Sequence, residues 1–85
     1  MGRQAIHMRA DFDINGKPIP LKFKYVNEEQ ELSVVKVDRI TKKDINNFAG
    51  NRMYVYYCES FENNITKTYE LRYELDTCRW YVYIN

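Results

Sequence analysis

The sequence predicts an all-β fold with one short helix, in which two three-stranded antiparallel meanders form a small curled barrel or a two-layer β structure. Eight tyrosines, four phenylalanines and one tryptophan make 15% of the chain aromatic, and aromatic residues favour strands. Apolar and polar residues alternate along much of the chain, as they do in strands with one buried face. A chain of 85 residues has room for one hydrophobic core, so residues 1–85 are predicted to form a single β domain.

The first predicted hairpin is centred on Asn15-Gly16, a dipeptide that suits the positive φ angles of a two-residue type I′ turn. That turn places Met8 opposite Phe23, and it pairs each apolar residue of the first strand except Ile14 with an apolar residue of the second. The turn and the alternation therefore predict the same register. The first two strands are expected at about residues 5–14 and 18–26.

The third strand is predicted at about residues 31–39, after a turn with Glu28-Glu29 at its tip. The alternation breaks at Val34-Val35, and a one-residue bulge there would restore it. Pro18 and Pro20 lack the backbone N–H that a neighbouring strand needs. We therefore expect the third strand to separate from the beginning of the second, which would start to curl the sheet.

A short helix is predicted at about residues 42–49. Thr41 would cap its N-terminus by accepting a hydrogen bond from a free N–H of the first turn. Ile45 and Phe48 would share its apolar face, and Gly50 would end it in the left-handed conformation. Two lysines at its start oppose the helix dipole, so we expect two turns at most.

The last three strands form the second predicted meander and alternate most regularly. They are expected at about residues 52–61, 65–75 and 78–84, with turns at Asn63-Asn64 and Asp76-Thr77. Their shared apolar face would consist of the cross-strand rows Tyr54–Tyr73–Trp80, Tyr56–Leu71–Val82 and Cys58–Tyr69–Ile84.

The residues that could carry catalysis or hold a metal ion are few and scattered. In the predicted register Cys58 and Cys78 are ~20 Å apart along the strands, too far for a disulfide, and neither has the neighbours of a zinc site. His7 is the one histidine, and Asp11 and Asp13 alternate as on a solvated strand face. No phosphate-binding loop, zinc-protease or serine-hydrolase motif occurs. The sequence therefore predicts no enzyme, no cofactor and no metal site.

A basic patch is predicted on the polar face of the first hairpin, where Arg9 lies opposite Lys22 and His7 opposite Lys24. Like charges facing each other cost stability, so either these long side chains extend into water or an anion lies between them. Arg9, Lys22 and Lys24 are therefore candidates for binding single-stranded nucleic acid or another polyanion. The net charge is only +1, so such binding would depend on this patch. The residues that could extend it are Lys36, Arg39, Lys42 and Lys43.

An apolar strip is predicted on the outer face of the last three strands, which the register directs towards solvent. Three explanations are open: the predicted helix covers the strip, the strip binds a partner or a second copy, or its tyrosines are ordinary half-exposed residues. Large exposed apolar patches usually mark contacts between molecules. The expected partner-binding residues are Val55, Tyr57, Arg72, Tyr81 and Tyr83.

Parts of the sequence resemble short uncharacterised proteins of Firmicutes bacteria. The resemblance covers about half of the chain and implies no activity, so it assigns no catalytic or binding role to any residue. It implies a free-standing bacterial protein with Arg52, Cys78 and Trp80 in framework positions. The similar stretches are AGNRM at 49–53, YELRYEL at 69–75 and CRWY at 78–81.

The expected function is that of a small non-enzymatic interaction module. It would bind a protein partner, or associate with itself, through the apolar strip, and the alternative is polyanion binding through the basic patch. The first residues lack the apolar core of a signal peptide, and no apolar run is long enough to span a bilayer. These observations predict a cytoplasmic protein that does not bind membranes.

Overall fold

The computed structural model describes residues 2–84, which form one antiparallel sheet of seven strands in the order β3-β2-β1-β7-β6-β5-β4. The predicted all-β antiparallel class is confirmed. The sheet is not closed, because β3 and β4 are its two free edges, so the predicted barrel and the two separate meanders are wrong. The strands are β1 (Gly2–Phe12), β2 (Pro18–Val26), β3 (Leu32–Lys36), β4 (Arg39–Phe48), β5 (Asn51–Glu62), β6 (Ile65–Glu74) and β7 (Arg79–Ile84).

The sheet bends along β1, whose two halves pair with different strands. Residues 2–6 pair with β7, and residues 7–12 pair with β2. The two parts of the sheet are also connected through the segment between β3 and β4, where Val37 N donates to Leu21 O and Asp38 N donates to Glu59 O. The buried core lies between the two parts and consists of Phe23, Val35, Tyr56, Cys58, Leu71, Tyr73, Trp80 and Val82.

The short helix predicted at about residues 42–49 is wrong, because this segment is strand β4. Ala49 and Gly50 have φ angles of 51° and 86°, which makes them a two-residue type I′ turn that joins β4 to β5. A helix of two turns is marginal in water, and Asn46 and Asn47 are poor helix formers. Pairing along the whole of β5 satisfies more backbone hydrogen bonds than such a helix could.

The first two hairpins have three-residue loops in place of the predicted two-residue turns. Asp13 N donates to Lys17 O, and the Asp13 carboxylate accepts hydrogen bonds from the N–H groups of Asn15 and Lys17. Asn27 makes the same set of bonds in the second loop, which ends at Glu31. The left-handed residues are Gly16 and Gln30, as in a type I turn followed by a glycine-type bulge.

The extra loop residues explain where the predicted registers hold and where they shift. Met8 lies opposite Phe23 as predicted, because a bulge at Leu21 compensates for the longer first loop. In the second hairpin no bulge compensates for the longer loop. Val35 therefore lies opposite Phe23, where the predicted turn would place Val34. The predicted bulge at Val34-Val35 is therefore unnecessary. β3 pairs with β2 only beyond Pro20, which confirms that the prolines separate the two strands.

The registers predicted for β5, β6 and β7 are confirmed through the rows Tyr54–Tyr73–Trp80 and Tyr56–Leu71–Val82. Asn63 and Asn64 both have positive φ angles, as the predicted two-residue turn requires. The two-residue turn predicted at Asp76-Thr77 is wrong, because residues 75–78 form a four-residue loop in which Cys78 N donates to Glu74 O. Both cysteines are free, as predicted. Burial raises the pKa of the Cys58 thiol to about 12, which keeps it protonated and unreactive at neutral pH.

Candidate functional site

The outer face of β5, β6 and β7 carries all five residues of the predicted partner-binding site. Val55 lies opposite Arg72, which lies opposite Tyr81. In the next row Tyr57 and Tyr83 lie on either side of Glu70. We call this set, Val55, Tyr57, Arg72, Tyr81 and Tyr83, the outer aromatic face. It is on the side of the sheet opposite to the core.

Arg72 is the most tightly held side chain of the outer aromatic face. Its guanidinium carbon lies 3.8 Å from the ring centroid of Tyr83 and 4.6 Å from that of Phe48. Its Nε donates to Glu70 Oε2 at 2.7 Å. Only 19% of the side chain is exposed, although it lies on the outside of the sheet. The guanidinium is therefore fixed between two rings, an arrangement that cation–π attraction favours.

The other side chains of the outer aromatic face are covered by their neighbours within the face and by side chains of adjacent strands. Arg3 of β1 lies over Tyr81, 4.2 Å from the ring centroid. Tyr81 is 8% exposed and Val55 is fully buried. The described residues contain no helix, so the explanation that a helix covers this strip is wrong. Tyr57 and Tyr83 stay half-exposed and border a depression of about 330 Å³.

Glu74 lies at one end of this face and connects β6 to residues before and after it in the chain. Its carboxylate accepts hydrogen bonds from Asn51 Nδ2 at 2.6 Å and from Thr77 Oγ1 at 2.5 Å. These bonds, with Arg3 and Arg79 nearby, lower the pKa of the carboxyl below its usual value. Arg79 lies opposite Glu74, but within residues 2–84 the salt bridge of Glu74 is with Arg3, at 3.9 Å.

The basic patch has the predicted register on the outer surface of β1 and β2. His7 lies opposite Lys24 and Arg9 opposite Lys22, and the row continues to Lys36 of β3. All five side chains are exposed, and the four on β1 and β2 line a depression of about 230 Å³. Among the described residues, Arg9, Lys22 and Lys24 form no salt bridge, whereas Lys36 reaches Asp38 at 3.9 Å.

The predicted extension of the basic patch is only partly realised. Lys36 belongs to it, but Lys42 and Lys43 lie on β4 at the other edge of the sheet. Arg39 forms a salt bridge with Glu59, and Lys42 forms one with Asp44. The patch is therefore restricted to the surface of the first three strands.

Sequence reasoning missed two side chains that pack on the outer aromatic face, Arg3 and Phe48. Phe48 falls within the predicted helix, and Arg3 precedes the predicted start of the first strand. The alternation of Asp44, Asn46 and Phe48 with inward residues is the signal that could have placed Phe48 on the outer face.

Comparisons of the chain with protein-family models, with curated proteins and with solved structures find no match. The resemblance to Firmicutes proteins therefore stays a prediction. In the part of the chain that the structure describes, no helix is long and apolar enough to cross a membrane. Residues 2–84 also contain no group of three or more histidine, cysteine or acidic side chains that could hold a metal ion.

Proposed function

We propose that this chain is a non-enzymatic interaction module that binds a protein partner, or a second copy of itself, through the outer aromatic face. The observation that carries the proposal is Arg72 held between the rings of Phe48 and Tyr83 on an outer sheet face. Tyrosine and arginine are enriched among the residues that dominate protein–protein binding. A side chain that is already fixed loses little conformational entropy on binding, which favours affinity.

The residues of the outer aromatic face have different roles in this proposal. Val55 and Tyr81 are buried, so they support the surface and do not contact the partner. The contacts come from Tyr57, Tyr83 and Phe48, whose rings remain accessible. The depression beside Tyr57 and Tyr83 accommodates a side chain of the partner.

The test is a quantitative affinity capture with the immobilised protein and a Tyr57→Gln/Tyr83→Gln double variant. We expect specific partners to be retained by the native chain and reduced at least tenfold on the variant, because both accessible tyrosine rings are lost. A matched control, Leu32→Gln/Val34→Gln, removes two exposed apolar side chains from β3 and should retain the same partners. Circular dichroism establishes that each variant is folded.

Equal capture by the native chain and the tyrosine variant would contradict the proposal. Equal loss on the β3 control would also contradict it, since binding would then depend on general surface hydrophobicity.

The second candidate function is binding of a polyanion, such as single-stranded nucleic acid, through the basic patch. It is favoured by Arg9, Lys22 and Lys24, which lie close together on two adjacent strands and form no salt bridge within residues 2–84. Phosphate contacts of this kind release counterions, so affinity falls as salt rises.

An Arg9→Gln/Lys22→Gln variant tests this candidate by fluorescence anisotropy with a labelled oligothymidine at several salt concentrations. We expect weaker binding and a slope of log K against log[salt] that is smaller by about 1 to 2. The control Lys67→Gln/Arg79→Gln removes the same charge elsewhere and should bind as the native chain does. Native affinity that does not change with salt would discard the candidate.

We also propose a cytoplasmic location for this chain. It is supported by the two free cysteines, Cys58 and Cys78, because reducing compartments keep thiols unpaired.

A further inference from the structure

The two free edges of the sheet differ strongly. β3 is a strand of five residues. β4 has ten residues, contains no proline, and pairs with β5 on one side only. Short strands, prolines, lysines and bulges are common protections of a sheet edge; β4 has two lysines and one bulge, but beyond the bulge it pairs regularly over residues 42–48, and a regular edge strand can accept another strand. β4 is therefore the edge at which a further strand can add.

The β4–β5 turn determines which backbone groups of β4 are free. In a two-residue hairpin the residues that flank the turn, here Phe48 and Asn51, form a hydrogen-bonded pair. Bonding then alternates along the strand, so Asn46 also bonds to β5. The N–H and C=O groups of Lys43, Ile45 and Asn47 point away from β5.

A hydrogen bond between β5 and the β6–β7 loop is consistent with this alternation. Arg52 O accepts from Leu75 N, so Arg52 directs its backbone towards β6 while Asn51 beside it faces β4. The free edge of β4 therefore presents donors and acceptors at every second residue, the spacing that an antiparallel partner strand requires.

Among the registers in which β4 could pair with a second copy of itself without opposing like charges, the one centred on Ile45 places an apolar residue opposite its own copy, whereas centring on Asn46 or Asn47 opposes two polar amides. Two-fold pairing of identical strands places one residue opposite its own copy. Centring the pair on Lys43 or on Asp44 opposes like charges, which is destabilising. Centring it on Ile45 opposes two apolar side chains. In that register Lys43 lies opposite Asn47, Asp44 opposite Asn46 and Lys42 opposite Phe48, so no like charges face each other.

The surroundings of Ile45 also favour this register. Its side chain is 67% exposed and borders a groove of about 380 Å³, which is lined partly by Pro18, Ile19 and Tyr54 and partly by charged side chains of β4 and of the β1–β2 loop. The groove lies on the core side of β4, the side to which Ile45 points. The Ile45 side chain of a second copy would pack against Ile45 itself, beside the apolar part of this groove.

We propose that two copies of this chain associate through their β4 edges, antiparallel and with Ile45 opposite Ile45, so that one sheet continues across the dimer. This contact uses none of the five residues of the outer aromatic face, so it can be tested separately from the proposed function, although Phe48 lies beside both contacts. A bulge between Ile40 and Lys42 interrupts β4, which limits the regular pairing to residues 42–48.

Light scattering after size-exclusion chromatography, from roughly 10 µM to 1 mM, should show a monomer–dimer equilibrium. Hydrogen exchange by NMR then locates the contact. The amides of Lys43, Ile45 and Asn47 should gain at least about tenfold protection as dimer forms. The amide of Asn46 bonds to β5 and should be protected at every concentration.

Two substitutions of Ile45 test the register. Ile45→Pro removes an N–H that β5 does not use, so the fold should persist as a monomer, as proline is tolerated on edge strands. Ile45→Lys opposes two like charges at the centre and should also be monomeric. The control Ile65→Lys makes the same change at another exposed isoleucine and should dimerise as the native chain does. Asn46→Pro removes a bond to β5 and should lower stability.

The outcomes separate this inference from the proposed function. A monomer at every concentration would overturn the inference, and so would a dimer in which the amides of Lys43, Ile45 and Asn47 exchange freely. A dimer lost in Tyr57→Gln/Tyr83→Gln but retained in Ile45→Lys would assign the contact to the outer aromatic face. Dimerisation of the tyrosine variant together with monomeric Ile45→Lys supports the β4 contact.

Discussion

Replacement of Leu71 by alanine is expected to lower the free energy of unfolding by about 3 kcal/mol. Leu71 is completely buried and lies between Tyr56 and Val82 in the central row of the core. The truncation loses the transfer free energy of the removed carbons and leaves a cavity. The surrounding strands hold their positions through hydrogen bonds on both sides, so they can close that cavity only slightly.

Urea unfolding followed by the fluorescence of Trp80, a core neighbour, measures the effect. A domain of this size has a total stability of roughly 4–13 kcal/mol, so the loss is a large share of it. Leu32→Ala is the control, because Leu32 is 67% exposed and should lose less than about 1 kcal/mol. Similar losses for the two variants would contradict the assignment of Leu71 to the core.

Replacement of Arg72 by alanine is expected to lower the free energy of unfolding by about 2 kcal/mol, a large effect for an arginine on the outside of a sheet. The variant loses the stacking on Phe48 and Tyr83 and the ion pair with Glu70. It also uncovers Val55, its neighbour on β5. Arg72→Lys keeps the charge but loses the flat guanidinium. It is therefore expected to lower the free energy of unfolding by about half as much as Arg72→Ala does.

A double-mutant cycle of Arg72→Ala with Tyr83→Ser isolates the interaction between the two side chains. We expect a coupling energy of about 0.5–1 kcal/mol. Arg52→Ala is the matched control, because Arg52 is exposed and forms neither a salt bridge nor a cation–π contact among the described residues. If Arg72→Ala were as harmless as Arg52→Ala, the guanidinium would not be fixed as the structure shows.

The pairing of β5, β6 and β7 was predictable from the sequence because it depends on local signals. Asn63-Asn64 is a two-residue turn, and alternation on both sides of it fixes one register. The first two hairpins were harder to predict. The carboxylate of Asp13 and the amide of Asn27 each satisfy two backbone N–H groups, which stabilises a loop one residue longer than the dipeptide pattern suggests.

The segment that became β4 could not be assigned from local signals alone. Thr41, Ile45 and Gly50 fit a short helix as well as they fit a strand. The choice depends on pairing with β5, which follows it in sequence and offers a complete edge. The pairing of β1 with β7 involves the two ends of the chain, and no turn signal could indicate it.

The arrangement of the candidate site was predictable in part. Alternation alone places Tyr57, Arg72 and Tyr83 on one face. The burial of Val55 and Tyr81 was not predictable, because their cover includes Arg3 and Phe48, which lie on strands that local signals assigned differently.

The pairing of β1 with β7 has a consequence for how the chain folds. Gly2 lies opposite Ile84, so this pairing closes a loop of nearly the whole chain, and closure entropy delays such contacts. The hairpins form from neighbouring segments and can fold earlier. We therefore expect β1 to add to β7 late in folding, so that the outer edge of β7 stays open until then. Aggregation of this protein should begin from chains in which β1 has not yet covered this edge.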